Sequence, residues 1–166
     1  MKRWLRAALT ALLLSSLWLS GCALPQRSLN AGSPSAQVWH GRLALRFDDP
    51  ALKAFSAGFE LTGDERAGEL LLFSPFGTTV ASLRWSALGT FLLSEGSTRA
   101  FDSLEALAKE ATGAALPMAS LFQWLQGQAS EVDGWQADLS QLKLGKLQAR
   151  RSQPLPSAEL RVLLEP

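Results

Sequence analysis

The 166-residue chain holds one cysteine, one histidine and no tyrosine. A single cysteine excludes any intramolecular disulfide. With His40 as the only imidazole, zinc sites built from three or four His and Cys ligands are excluded as well. A Ser-His-Asp triad would have to use His40, which falls on the polar side of an alternating segment, and no G-x-S-x-G elbow accompanies it. No glycine-rich phosphate loop occurs. Charge of either sign is scarce in excess: 16 Lys and Arg stand against 15 Asp and Glu, so nothing calls for DNA or RNA as a partner. The paired acids Asp48-Asp49 and Asp64-Glu65 fall in turn-like stretches and read as solvated turn residues. A carboxylate-pair hydrolase, whose two acids can come from distant strands, is the one catalytic alternative left. The inventory predicts a protein that is not an enzyme and uses neither metal nor cofactor.

What is present starts at the N-terminus. Lys2, Arg3 and Arg6 precede an apolar run, Ala7 to Leu19, broken only by Thr10, Ser15 and Ser16. A basic start and a short apolar run make a secretory signal peptide, expected over residues 1–21. The alternative, an uncleaved membrane anchor, asks for roughly 20 apolar residues. Leu19-Ser20-Gly21-Cys22 then has the form of a bacterial lipobox, which makes Cys22 the expected lipid-attachment residue. Ala23 follows it where an aspartate would favour the inner membrane, so the expected location is the periplasmic face of the outer membrane. Loss of residues 1–21 removes three of the 16 bases and none of the 15 acids, leaving a formal charge of −2. Residues 22–37 are rich in Ser, Pro, Gly and Ala and read as a lipidated tether. Residues 38–166 are long enough for one domain with its own core.

Within that domain the spacing predicts strands first. Trp39, Gly41, Leu43, Leu45 and Phe47 alternate with polar or small residues, as do Phe55, Ala57, Phe59 and Leu61. Glu69–Phe73, Thr78–Trp85 and Leu88–Leu93 continue the series. Asp102 and Glu105 have capping-box spacing for a helix whose stripe is Phe101, Leu104, Leu107, Ala108 and Ala111 and whose stop is Gly113. A second helix is expected from Pro117, with Met118, Leu121, Phe122 and Leu125 on one face, ending at Gly127. Strands are expected again over Trp135–Leu142, Lys146–Arg151 and Glu159–Leu164. This order predicts an α+β, mainly β fold: an antiparallel sheet, apolar on one face, with helices packed against it. Its interior is either a plain core or a hollow that takes an apolar ligand, and periodicity treats the two alike. One feature stands outside the pattern. In LLFSPFGTTV (71–80), Phe76 sits between Pro75 and Gly77, where a turn tip is ordinarily polar.

The lipobox, WHGRLALRF (39–47), FSAGFEL (55–61), LLFSPFGTTVASL (71–83), GAALPMASLFQWLQG (113–127) and DGW (133–135), in that order, resemble the outer-membrane lipoprotein receptor family LolB. The resemblance spans most of the chain after Cys22; it departs at the end, where Glu165-Pro166 stand in place of a tryptophan. It implies a LolA/LolB-like incomplete antiparallel β-barrel covered by a lid of short helices. It also implies a monomer that accepts acylated lipoproteins from the periplasmic carrier LolA and inserts them into outer-membrane lipid, with no ATP. Pro75, Phe76 and Gly77 match the family's membrane-insertion loop, the alternative being that Phe76 folds back onto the sheet. For the acyl-chain cavity, the apolar faces nominate Trp39, Leu43, Leu45, Phe59, Leu61, Leu104, Leu121 and Leu125. Arg42 matches the family's G-R-L pattern and is expected to pair with an acid on the wet face. The rival functions are an accessory lipoprotein of an outer-membrane assembly machine and a carrier of another lipid.

Overall fold

The computed structural model describes residues 37–113 and 116–166. The expected signal peptide, Cys22 and the tether up to residue 36 lie outside the described residues. Alternation builds most of the rest. In β1 (Val38–Phe47), Gly41, Leu43 and Leu45 are buried while His40, Arg42 and Arg46 are exposed. In β2 (Phe55–Gly63), Ala57, Phe59 and Leu61 are buried. Successive side chains of a strand point to opposite faces, so one face collects the leucines and aromatics. β3 (Gly68–Phe73), β4 (Thr79–Ser86) and β5 (Gly89–Ser94) extend the meander.

A sixth strand before the helices, β6 (Ser97–Phe101), is additional to the five that the spacing predicts. It is a short, largely exposed edge strand, so no buried alternation marks it. Its signal is the turn before it: Glu95 and Gly96 both have positive φ, 51° and 76°, the requirement of a two-residue primed hairpin.

Helix α1 (Leu104–Thr112) starts one residue later than the capping-box spacing suggests. Ser103, not Asp102, is the cap, and its Oγ accepts the Ala106 N–H at 3.1 Å. Gly113 closes the helix in the left-handed region. Helix α2 (Met118–Leu125) follows Pro117. β7 (Trp135–Asp138) is half the length expected, because the Asp138 carboxylate turns back to accept the Ser140 N–H at 2.9 Å and ends the strand. Leu142–Leu144 form a 3₁₀ turn instead. β8 (Lys146–Arg151) and β9 (Ala158–Leu164) complete the chain.

The nine strands form one antiparallel sheet in the order β6-β5-β4-β3-β2-β1-β9-β8-β7. The sheet is open, with β6 and β7 as its two edges, and consistent with an incomplete barrel plus helices. β9 lies along β1 in continuous register from Gly41↔Leu164 to Phe47↔Ala158. Gly41 permits this pairing: its φ is +151°, and a Cβ there would lie 2.0 Å from the Leu163 carbonyl oxygen. Gly77, by contrast, has φ +79° but nothing within 4 Å of an added Cβ. Gly77→Ala is therefore expected to cost about 1 kcal/mol, the strain of a left-handed residue. Gly41→Ala is expected to cost several times more, because backbone must move. Urea unfolding of the two variants checks this, and equal losses would contradict it.

Candidate functional site

The concave apolar face is covered by α2. Met118, Leu121, Phe122, Trp124 and Leu125 are all buried. Phe122 stands between two indoles of the sheet, with ring centroids 5.7 Å from Trp39 and 6.1 Å from Trp85. Those distances lie in the range where aromatic pairs attract edge to face. Trp124 is fully buried, and its indole N–H donates to the Ser130 carbonyl at 3.0 Å, which ties the helix to the chain that follows. α1 contributes Leu107 and Ala108 to the same core.

All eight sequence candidates for the apolar interior meet in this one cluster. Leu43, Leu45, Phe59, Leu61, Leu121 and Leu125 are buried in it, and Trp39 and Leu104 are half-buried against it. The eight leave out Phe122, which helical spacing places on the apolar face of its helix, and Trp85 and Trp135, all central to the same core; aromatic size on strand and helix faces is the available signal. A cleft of about 290 Å³ lies elsewhere, between β4 and the β5–β6 hairpin, against Val80, Leu93 and Thr98, and none of the eight lines it.

The β3–β4 turn is a different kind of surface. Gly77 N–H donates to the Ser74 carbonyl at 2.9 Å, and Ser74 N–H to the Thr78 carbonyl at 2.8 Å. With Pro75 and Phe76 in the middle and Gly77 left-handed, this is a type I turn followed by a bulge, a three-residue hairpin loop. The Ser74 hydroxyl accepts the N–H groups of Phe76 and Thr78, each at 3.3 Å. A register shift at Leu72/Phe73 leaves Val80 as an extra residue on β4, half exposed beside the turn. On this braced tip Phe76 is 95% exposed. It does not fold back onto the sheet.

The remaining polar candidates have local explanations. The Asp49 carboxylate accepts the Ala51 N–H at 2.8 Å. That of Asp64 accepts from Ala67 and Arg66, and these two bonds hold it below the ordinary carboxylate range. A general acid needs the opposite shift. His40 is exposed, and among the described residues no group of three His, Cys, Asp or Glu side chains could hold a metal ion. The acid partner expected for Arg42 is not found: among the described residues it makes no ion pair, and its neighbours across the sheet are Gly58 and Leu163.

The domain thus presents a covered apolar face, an exposed aromatic turn, and turn acids Asp49 and Asp64 engaged in capping. Residues 37–154 match the family model described as Outer membrane lipoprotein LolB, and the chain belongs to that family. It is 29% identical over 159 residues to the Outer-membrane lipoprotein LolB of Bordetella petrii, covering 82% of this chain and 77% of the relative. It is 31% identical over 122 residues to that of Chromobacterium violaceum, covering 70% and 66%. A similar protein from Shewanella oneidensis is 28% identical over 142 residues, covering 80% and 65%. The family serves lipoprotein localisation at the outer membrane and is not a family of enzymes.

The two surfaces differ sharply in what they owe to folding. Phe76→Glu is expected to leave stability within about 0.5 kcal/mol of the parent, since the ring is in water on both sides of the unfolding equilibrium. Phe122→Ala is expected to cost about 3–5 kcal/mol. Denaturant titration of both decides, and a Phe76→Glu loss as large as that of Phe122→Ala would mean the ring packs somewhere.

Proposed function

We propose that this protein is an outer-membrane lipoprotein receptor. After removal of residues 1–21 it is anchored by acyl chains on Cys22, with residues 22–37 as tether and 38–166 as the working domain. It accepts acylated lipoproteins from the periplasmic carrier LolA, holds their acyl chains against the apolar face under α1 and α2, and releases them into outer-membrane lipid. The interior is formed by Trp39, Leu43, Leu45, Phe59, Leu61, Leu104, Leu121 and Leu125. The domain acts as a monomer.

The observation that carries this reading is Phe76, held out in water at the tip of a hydrogen-bonded turn. Acyl chains gain about 0.8 kcal/mol per buried CH₂, so a triacylated cargo in water would cost on the order of tens of kcal/mol. The cargo therefore has to pass from one apolar environment to another. Burying one phenylalanine contributes roughly 1.5–3 kcal/mol. That is too little to anchor a protein, and the lipid on Cys22 does that already. It is enough to seat the Pro75-Phe76-Gly77 loop among lipid headgroups, so that cargo leaves the domain next to the bilayer.

The test is transfer from carrier loaded with an acylated lipoprotein, scored in two steps: cargo on this protein, then cargo in vesicles. Phe76→Glu is expected to take up cargo like the parent and to deliver it at least about tenfold more slowly, the kinetic equivalent of losing roughly 1.4 kcal/mol. Phe76→Leu should deliver normally. Delivery by Phe76→Glu at the parental rate would remove the loop from the mechanism, and failure of the parent to accept cargo would remove the receptor reading itself.

A further inference from the structure

Phe76 is not the only large apolar side chain left in water at its end of the sheet. In an antiparallel meander alternate connections fall on the same side, so the β1–β2, β3–β4, β5–β6 and β8–β9 connections share one end. Two of them, residues 48–54 and 152–157, are close neighbours, because β1 and β9 are paired there. Leu52 is 41% exposed in the first, and Leu155 is 74% exposed in the second. Both loops are braced. Asp48 N–H donates to the Ser157 carbonyl at 3.2 Å, which joins one loop to the other. Arg151 donates to the Pro156 carbonyl at 3.0 Å, and Gly134 lies so close to Gln153 that a Cβ would be 1.9 Å from its carbonyl oxygen. These leucines are held in water by structured chain.

Behind the loops, the outer face of β1, β9 and β8 is basic. Register sets Arg46, Glu159 and Arg150 in one row, Ala44, Arg161 and Gln148 in the next, and Arg42, Leu163 and Lys146 in a third. The strands are about 4.8 Å apart and the rows about 6.6 Å, so five cations share a patch of roughly 10 by 13 Å. All five are exposed. The acid within the patch, Glu159, already accepts from Arg161 and Gln148. Glu60 lies beyond it, opposite His40 on β2. Arg42, Arg46, Lys146 and Arg150 make no ion pair among the described residues. Five clustered cations, four of them without an ion pair among the described residues, give the patch a positive potential that favours an anionic partner. Its counterweights at the loop roots are Asp48 and Asp49, and the Asp49 carboxylate is engaged with Ala51 N–H.

We propose that loops 48–54 and 152–157, together with this basic face, form a second membrane contact directed at anionic lipid headgroups. The proposal rests on the reading of Phe76 as a membrane-seating residue. A lipid leaflet fits better than an acidic protein because of the order of the groups. Leu52 and Leu155 are at the extreme end, Lys53 is beside one of them, and Arg46 and Arg150 stand at the strand ends just behind. This is the order of acyl boundary and phosphate layer in a leaflet. With Phe76 on the next connection along the same end, contact at both places would fix the orientation of the domain, which a single loop cannot do.

The test uses the lipidated protein, in which Cys22 is consumed by acylation and an introduced cysteine is the one free thiol. Leu155→Cys carries an environment-sensitive fluorophore, and the protein is placed in vesicles of phosphatidylcholine alone or with about one third phosphatidylglycerol. On the anionic vesicles the label should shift to the blue and be quenched by brominated acyl chains. High salt, or Arg46→Glu with Arg150→Glu, should reduce that quenching roughly fivefold or more. Cargo uptake by the double variant serves as the check that it folds. A Phe76→Cys label that is quenched while the one at 155 stays in water overturns this inference and leaves the receptor reading intact. Cargo delivery with both labels in water overturns this inference and the role of Phe76 together. Quenching or shielding at 155 that requires loaded carrier and not lipid assigns the basic face to an acidic protein and overturns the lipid contact.

Discussion

A sheet that is apolar on one face and open at both edges must have that face covered, and in this protein the cover is two short helices, α1 and the eight-residue α2. A helix of that length has no stability of its own in water, since nucleation costs more than two turns return. α2 is ordered because Phe122 sits between Trp39 and Trp85 and because Met118, Leu121, Trp124 and Leu125 are buried with it. The dependence runs both ways. Without the helix, the face of β1 to β5 would be an exposed apolar patch of the size that drives association. Face and cover are thus one cooperative unit, and the rest of the domain holds that unit in place.

This coupling bears on how a receptor of acyl chains could work. Five buried side chains at about 2 kcal/mol each give α2 on the order of 10 kcal/mol of contact with the sheet, an upper estimate. One acyl chain of about 16 carbons carries about 13 kcal/mol by the same kind of count. The two quantities are of one size. On the proposed receptor reading, one acyl chain that took the place of the helix on the sheet face would do so near balance. Near balance is what a handover protein without ATP requires: strong enough to take cargo from a carrier, weak enough to lose it to a bilayer.

Much of the architecture was legible in the chain, for a reason visible strand by strand. β1 and β2 alternate because one face is dry and the other wet, and β8 has the bounds that its alternation indicates. β6 left no such trace, since an exposed edge strand has no dry face. Leu139 and Leu142 continue the apolar pattern of β7, while the strand stops where the Asp138 carboxylate accepts the Ser140 N–H. The pairing of β9 with β1 is between distant parts of the chain, and its one local mark is Gly41, a residue without a side chain where the Leu163 carbonyl passes. The apolar interior was legible as a face and not as a shape. Alternation says which side of a strand is dry, and says nothing of whether a neighbour or a guest keeps it so.

The turn at Phe76 is the place where local rules and side-chain identity part. Pro75 and Gly77 satisfy the backbone of a type I turn with a bulge, and Ser74 satisfies its N–H groups. None of this asks anything of the residue between them. A ring that is 95% exposed after folding gains almost nothing from the fold, so folding stability is indifferent to whether that position is aromatic or polar. Water is not indifferent: it disfavours the ring in the folded and the unfolded chain alike. The energy that distinguishes phenylalanine from serine at this position can be realised only when the folded protein brings its tip against something apolar. On the proposed reading, the phenylalanine at position 76 answers to the surroundings of the folded protein, and for a lipoprotein of the outer membrane the nearest apolar surroundings are the bilayer.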